Sequence, residues 1–268
     1  MSGIEKLRDT WETLGRGDPL WAILSTPETR GNRWDAAAFF QTGEDEVTRL
    51  FDRLKGMDIS IQRGRALDFG CGVGRVTQAL APYFDKVDGV DIAPSMIRLA
   101  NQYNHHGDRC QYHENTSPDL ERFDPNIFDF VYSRIVLMHV PPRLTKRYIA
   151  EFSRILRPGG VAVIHVPSAL PPMRRAVYET AVLRRRAIDW IARVLSQRRE
   201  DLLPAAGSSA SERSAASTTY KHAMYFTRKA KVLDLLRRSD MNVICTEEWD
   251  TGAVHDVLYY SRKTGART

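Results

Sequence analysis

The feature that most limits what this chain can fold into is the stretch Ala66-Leu67-Asp68-Phe69-Gly70-Cys71-Gly72-Val73-Gly74-Arg75-Val76-Thr77. An apolar run carrying one acid, Arg65 to Phe69, breaks into glycines at alternate positions, and an amphipathic pattern begins at about Arg75. The order is strand, tight loop, helix. Glycine is needed where the backbone takes a positive φ or lies flush against a ligand. The helix that follows aims its first N–H groups at the same spot.

A second apolar segment, Val87-Asp88-Gly89-Val90-Asp91, ends in an acid roughly 20 residues past the glycines, where a nucleotide fold places the carboxylate that grips two ribose hydroxyls. The dinucleotide spacing G-x-G-x-x-G would require glycine where Arg75 stands. Asp68 would repel a pyrophosphate and would suit a positive ammonium. Ribose, no phosphate and a cationic amino-acid tail together describe S-adenosylmethionine. Asp68-x-Gly70-x-Gly72-x-Gly74 followed by Asp91 resembles the cofactor site of the class I S-adenosylmethionine-dependent methyltransferases.

The rest of the chain fits that frame. Ile4, Leu7, Trp11 and Leu14 repeat at helical spacing, residues 20–24 give a short second helix, and Thr42-Gly43-Glu44-Asp45 reads as a capping-box start for a helix through about Leu54. Strands are expected over 65–69, 86–91, 109–114, 128–133 and 160–166, with helices over 75–83, 94–104 and 143–156 between them. Such alternation builds a parallel sheet with helices on both faces and ligands at the carboxyl ends of the strands. A helix over 228–238, a strand over 242–248 and a last strand around Val257-Leu258-Tyr259-Tyr260 complete it. The expected fold is α/β and Rossmann-like: seven strands, mostly parallel, the last antiparallel. Residues 1–60 form a helical lid, and 61–268 form the methyltransferase domain with a helical insertion at about 171–219.

The resemblance implies site residues beyond the glycines and Asp91. Ile92 and Met96 would flank an adenine ring, with core packing as the alternative. Asn115 or Thr116 would meet the adenine amine, and Ser133, ending the fourth strand, joins the cofactor contacts. In similar proteins the helices before the glycine loop close over the amino-acid end and the acceptor, and Trp34, Phe39 and Phe40 are the aromatics suited to that, with core packing as the competing role for each.

Methyl transfer from a sulfonium is an in-line displacement that depends chiefly on alignment, while a hydroxyl acceptor also needs a base. His139, in the loop after the fourth strand, is the candidate base, and the competing role is to hold that loop. Arg134 would anchor an acidic acceptor or serve as a salt-bridge partner. Tyr220, His222, Tyr225 and His255 would line the acceptor side, each with a structural or solvent-exposed role as the alternative, and as a set they point to a polar, hydroxyl-bearing acceptor. No paired acids stand at metal-ligand spacing, so no metal is expected.

Composition narrows the remaining classes. The chain of 268 residues has a net charge of +6 and three scattered cysteines, Cys71, Cys110 and Cys245, which suggest a reduced compartment and no structural zinc. No run has the length of a membrane span, and the start lacks a signal-peptide core, so a cytoplasmic protein is expected. Residues 173–201 interleave apolar residues with many arginines. Such a helix could contact an anionic membrane surface, giving a membrane-associated protein, or lie solvated over the pocket. A Ser/Ala-rich loop follows.

The function expected is S-adenosylmethionine-dependent O-methylation of a polar small molecule, sugar or glycan end, leaving S-adenosylhomocysteine. An RNA or protein methyltransferase using the basic helix is one alternative, although nucleic acid is not the expected partner. A non-catalytic cofactor-binding scaffold is another. A nicotinamide oxidoreductase is disfavoured by Asp68 and Arg75.

Overall fold

The computed structural model describes residues 3–168, 224–250 and 254–265, together with Thr180, Arg184, Ala187, Ile188 and Trp190. Most of the arginine-rich segment, the Ser/Ala-rich loop, Tyr220 and His222 lie outside the described residues.

Seven strands form one sheet: β1 (Arg65–Phe69), β2 (Lys86–Asp91), β3 (Cys110–Glu114), β4 (Phe128–Ser133), β5 (Leu156–His165), β6 (Met241–Asp250) and β7 (His255–Lys263). Their order is β3-β2-β1-β4-β5-β7-β6. The first five are parallel, and β7 runs antiparallel between β5 and β6. This is the expected Rossmann-like sheet of seven strands, mostly parallel, with an antiparallel last strand. Strands buried on both faces read as apolar runs, and the acids within them carry partners. Asp88 meets Arg65 at 2.7 Å and His113 at 2.7 Å, and Asp129 accepts from Arg65 N at 2.8 Å and pairs with Arg157 at 3.0 Å.

The helices are α1 (Gly3–Gly17), α2 (Pro19–Ile23), α3 (Ala36–Gly56), α4 (Arg75–Leu80), α5 (Pro94–Gln102), α6 (Pro142–Ile155) and α7 (Lys229–Arg238). On one sheet face, Tyr148, Ile149 and Phe152 of α6 and Val232 and Leu236 of α7 pack with Leu67, Val131 and Ile164. On the other, Val47, Leu50 and Leu54 of α3 and Val76 and Leu80 of α4 pack with Ala66, Phe130 and Val163. A third cluster joins Leu14, Leu20 and Phe39 to Val73, Ala93 and Met96, fastening the N-terminal helices to the glycine-loop end of the sheet.

Helix α3 departs from expectation at its start. Asp35 is the N-cap, its Oδ1 accepting from Ala38 N at 2.8 Å, and the helix is already a turn old at Thr42, whose hydroxyl donates to the Phe39 carbonyl at 2.6 Å. Thr42-Gly43-Glu44-Asp45 is therefore helix interior, not a cap. Gly43 sits there because a Cβ would lie 2.5 Å from the Arg75 carbonyl oxygen, where α3 crosses the first turn of α4. The last two strands also run longer than their apolar cores, which brings Trp249, Asp250, His255 and Asp256 into the sheet.

Candidate functional site

The glycine loop takes the conformation its sequence demands, with φ of +79° at Gly70, +55° at Gly72 and +84° at Gly74. The N–H groups of Gly70 and Cys71 both donate to the Val90 carbonyl, at 2.8 and 3.0 Å, so the loop is tied to the end of β2. Beside it lies a cavity of about 300 Å³, within the range of small-molecule sites. Gly70, Gly72, Asp91, Ile92, Met96, Asn115, Arg134 and His139 all line it. A large part of the set expected from sequence thus lines one cavity.

Asp91 is held by the backbone on both sides: Oδ2 accepts from Gly72 N and Oδ1 from Ala93 N, each at 2.9 Å. Burial pushes its carboxyl above the usual range, against the pull of the Ala93 and Gly72 N–H groups. Each oxygen retains a lone pair, so the carboxylate can still accept from a diol. Asn115 donates its amide to the carbonyls of Ser117 and Asp119, at 3.2 and 3.0 Å, which turns its oxygen into the group available to a ligand donor. Thr116 is exposed and does not line the cavity.

Other expected residues take different positions. Asp68 lies behind the loop, accepting from the Thr77 hydroxyl at 2.7 Å, and burial pushes its carboxyl up to about 7. A Cβ on Gly74 would meet the Tyr112 hydroxyl, so that glycine serves packing beneath the loop. Ser133 is fully buried, and its hydroxyl meets no partner among the described residues. Tyr225 donates its N–H to the Met138 carbonyl at 2.7 Å, bracing the His139 turn without lining the cavity. His255 is held between Asp250 and Glu248, both at 2.9 Å, also outside the lining.

The N-terminal helices supply the cavity's apolar roof. Leu7 and Trp11 of α1 and Ile23 of α2 line it, and Trp11 meets the His139 ring edge-on at 5.2 Å between centroids. Ile23 reaches over Gly72 and Val136 over Gly70, so these side chains set the depth of the groove above the loop. Trp34, Phe39 and Phe40, expected at this lid, stack edge-to-face with one another beneath it.

Sequence reasoning missed the charged hub at the cavity edge. Glu46 of α3 is buried and accepts from Arg75 at 2.8 Å and from the Tyr132 hydroxyl at 2.7 Å, and it pairs with Arg134 at 3.3 Å. Burial alone would raise its carboxyl, but Arg75 and Arg134 bring it below the usual range. Two guanidiniums share one carboxylate, leaving positive charge beside the cavity. The available signal was an acid at 46 in the Phe39, Gly43, Val47, Leu50 stripe of a helix, where a charge needs a partner.

The site also suits the group that the fold family implies. A phosphate-free adenosine with an amino-acid tail would find in it a diol acceptor in Asp91, an amine acceptor in Asn115, apolar flanks in Ile92 and Met96, and positive charge for a carboxylate.

Comparison with known proteins agrees with the geometry. Residues 67–164 match the family described as methyltransferase domain. The chain is 28% identical over 138 residues to a ubiquinone biosynthesis O-methyltransferase of Xanthomonas campestris pv. campestris (strain B100), covering 51% of this chain and 54% of the relative. It is 31% identical over 175 residues to the sterol 4-C-methyltransferase strm-1 of Caenorhabditis elegans, covering 60% and 50%. The chain thus spans about half the length of the curated relatives it matches. Among solved structures, magnesium protoporphyrin IX methyltransferase from Synechocystis PCC 6803 with bound SAH superposes with a TM-score of 0.60 at 15% identity, covering 97% of this chain and 99% of that one.

Proposed function

We propose that this chain, which carries a class I S-adenosylmethionine-dependent methyltransferase domain, methylates a hydroxyl on a small molecule with a largely apolar body. One observation carries the reading: Asp91, Asn115, the glycine loop and His139 converge on a single cavity whose roof is apolar. S-adenosylmethionine, when bound, supplies a methyl group already activated on sulfur. What remains for the protein is alignment. In this reading Asp91 accepts from the ribose hydroxyls, Asn115 meets the adenine amine, and the charge shared by Arg75 and Arg134 suits a carboxylate. His139, on the cavity lining, would take the proton of an acceptor hydroxyl held against the activated methyl group.

Residues 1–60 act as the lid, with Trp11 and Ile23 as its inner face. That apolar face favours an acceptor with rings or alkyl surface over a free sugar. The O-methyltransferase among the relatives supports oxygen as the atom, and the sterol enzyme among them makes carbon the alternative.

Calorimetry with S-adenosylhomocysteine tests the cofactor half. Wild type binds, and Asp91→Ala weakens binding at least about tenfold while keeping its circular dichroism, the loss expected for charge-assisted hydrogen bonds. Equal affinity in the two proteins would refute the assignment. The acceptor half is read by mass from cell extract incubated with methyl-labelled cofactor. His139→Ala should leave cofactor affinity intact and cut labelling by about 10²-fold, and undiminished labelling would remove His139 as base.

A further inference from the structure

The wall of this cavity contains a residue in a conformation its side chain disfavours. Ile135, β-branched, has φ of +61°, and its side chain is 38% exposed on the cavity lining. Such a residue persists in the left-handed region only where its surroundings over-determine it. The three-residue stretch from Arg134 to Val136 matters to the site, because Val136 covers Gly70 and its carbonyl accepts from His139 N at 2.9 Å.

What holds Ile135 comes from β5, the strand paired with β4, and from β7 beyond it. Its N–H donates to Nδ1 of His165, the last residue of β5, at 3.2 Å. The other ring nitrogen, Nε2, stands 2.8 Å from Asp256 Oδ1 on β7. His165 and Asp256 are 2% and 5% exposed. Since Nδ1 accepts, the ring proton sits on Nε2 and is donated to the carboxylate, which fixes a neutral imidazole in one tautomer. Trp249 of β6 stacks on the His165 ring at 5.7 Å, and the Arg134 guanidinium lies 5.9 Å from the Trp249 ring centre. Residues 134 and 135 are therefore both clasped by the β5-β7-β6 end of the sheet.

We infer that His165 and Asp256 are a positioning pair: Asp256 sets the tautomer of His165, and His165 holds the strained Ile135 backbone so that the 134–139 loop forms the wall beside the glycine loop. Neither residue lines the cavity, so the pair acts through Ile135. The inference rests on the methyltransferase reading for its consequence, but the clasp itself can be measured without any ligand.

Two near-isosteres separate the two bonds. His165→Asn keeps an acceptor at the Nδ1 position and gives up the bond to Asp256. His165→Gln reaches the Nε2 position and leaves the Ile135 N–H without its acceptor. Amide exchange by NMR on the full chain should show the Ile135 N–H protected in wild type and within about threefold of that in H165N. In H165Q it should exchange at least about tenfold faster, the loss of one buried hydrogen bond. The nitrogen shifts of His165 in wild type, which need no variant, should report a proton on Nε2 and none on Nδ1.

S-adenosylhomocysteine should then bind H165Q about tenfold more weakly than H165N by calorimetry. Equal exchange in the two variants, equal affinity, or a proton on Nδ1 would overturn the inference. If wild type binds no S-adenosylhomocysteine, the functional reading fails, while the exchange and shift data still decide the clasp.

Discussion

Removing the Glu46 carboxylate should unlock the charged hub at the cavity edge, and its size can be worked from the geometry. Glu46 and Arg75 have side chains only 8% and 7% exposed, 2.8 Å apart, so neither can recover its solvation if the other is lost. Glu46→Ala strands the Arg75 guanidinium and takes the acceptor from the Tyr132 hydroxyl, which is buried as well. Breaking a buried pair from one side costs about 3–5 kcal/mol. The Tyr132 penalty of about 1–3 kcal/mol overlaps with that and does not simply add. Arg134, 33% exposed and 3.3 Å from Glu46, loses little because water can reach it. A loss of about 3–5 kcal/mol would consume a large share of a typical net stability of about 5–15 kcal/mol. Urea unfolding at pH 7, followed by circular dichroism, measures it. The double variant Glu46→Met with Arg75→Met removes both charges while keeping the stems, and it should recover much of the loss. A single-variant cost under about 1 kcal/mol, or a double variant weaker than the single, would refute the reasoning.

Two further outcomes follow from the same region. Asp68, pushed by burial to about 7 from 3.8, binds its proton more tightly in the folded chain than in the unfolded one. Its contribution is thus complete below the unfolded value and is lost as pH rises through 7. At about 1.4 kcal/mol per pH unit, Asp68→Asn should gain roughly 4 kcal/mol on wild type between pH 4 and pH 8 in urea unfolding, and a flat difference would remove the effect. Gly43→Ala, which in an ordinary helix interior would stabilise by roughly 0.5–1 kcal/mol, should instead lower the melting temperature, because the new methyl meets the Arg75 carbonyl.

The sequence was most legible where structure is local. Glycines at 70, 72 and 74 with Asp91 located both the loop and its anchoring acid, because strand, turn and helix follow one another within a few residues. Local chemistry also misled. Thr42-Gly43-Glu44-Asp45 carries the residue types of a helix cap, yet the glycine answers to Arg75 on another helix and the cap is Asp35. Asp68 looked like a ligand contact because a carboxylate just before the loop suits a positive ammonium, whereas it accepts from the Thr77 hydroxyl of α4 and does not line the cavity. Trp34, Phe39 and Phe40 suited a lid by type, but of the N-terminal aromatics it is Trp11, spaced like any core residue of α1, that lines the cavity.

The remainder was illegible because its partners are far apart in the chain. Arg134 pairs with Glu46 on one side and lies over Trp249 on the other. Ile135 is held through His165 by Asp256. One short loop is thus gripped by a helix before the glycine motif and by strands from the end of the chain. No window of sequence contains both grips. The two grips differ in kind: Glu46 meets a partly exposed side chain of the loop, whereas His165 holds its backbone at Ile135, between the glycine loop and His139, so substitutions at the β5-β7 anchor should disturb the loop backbone more than loss of Glu46 does.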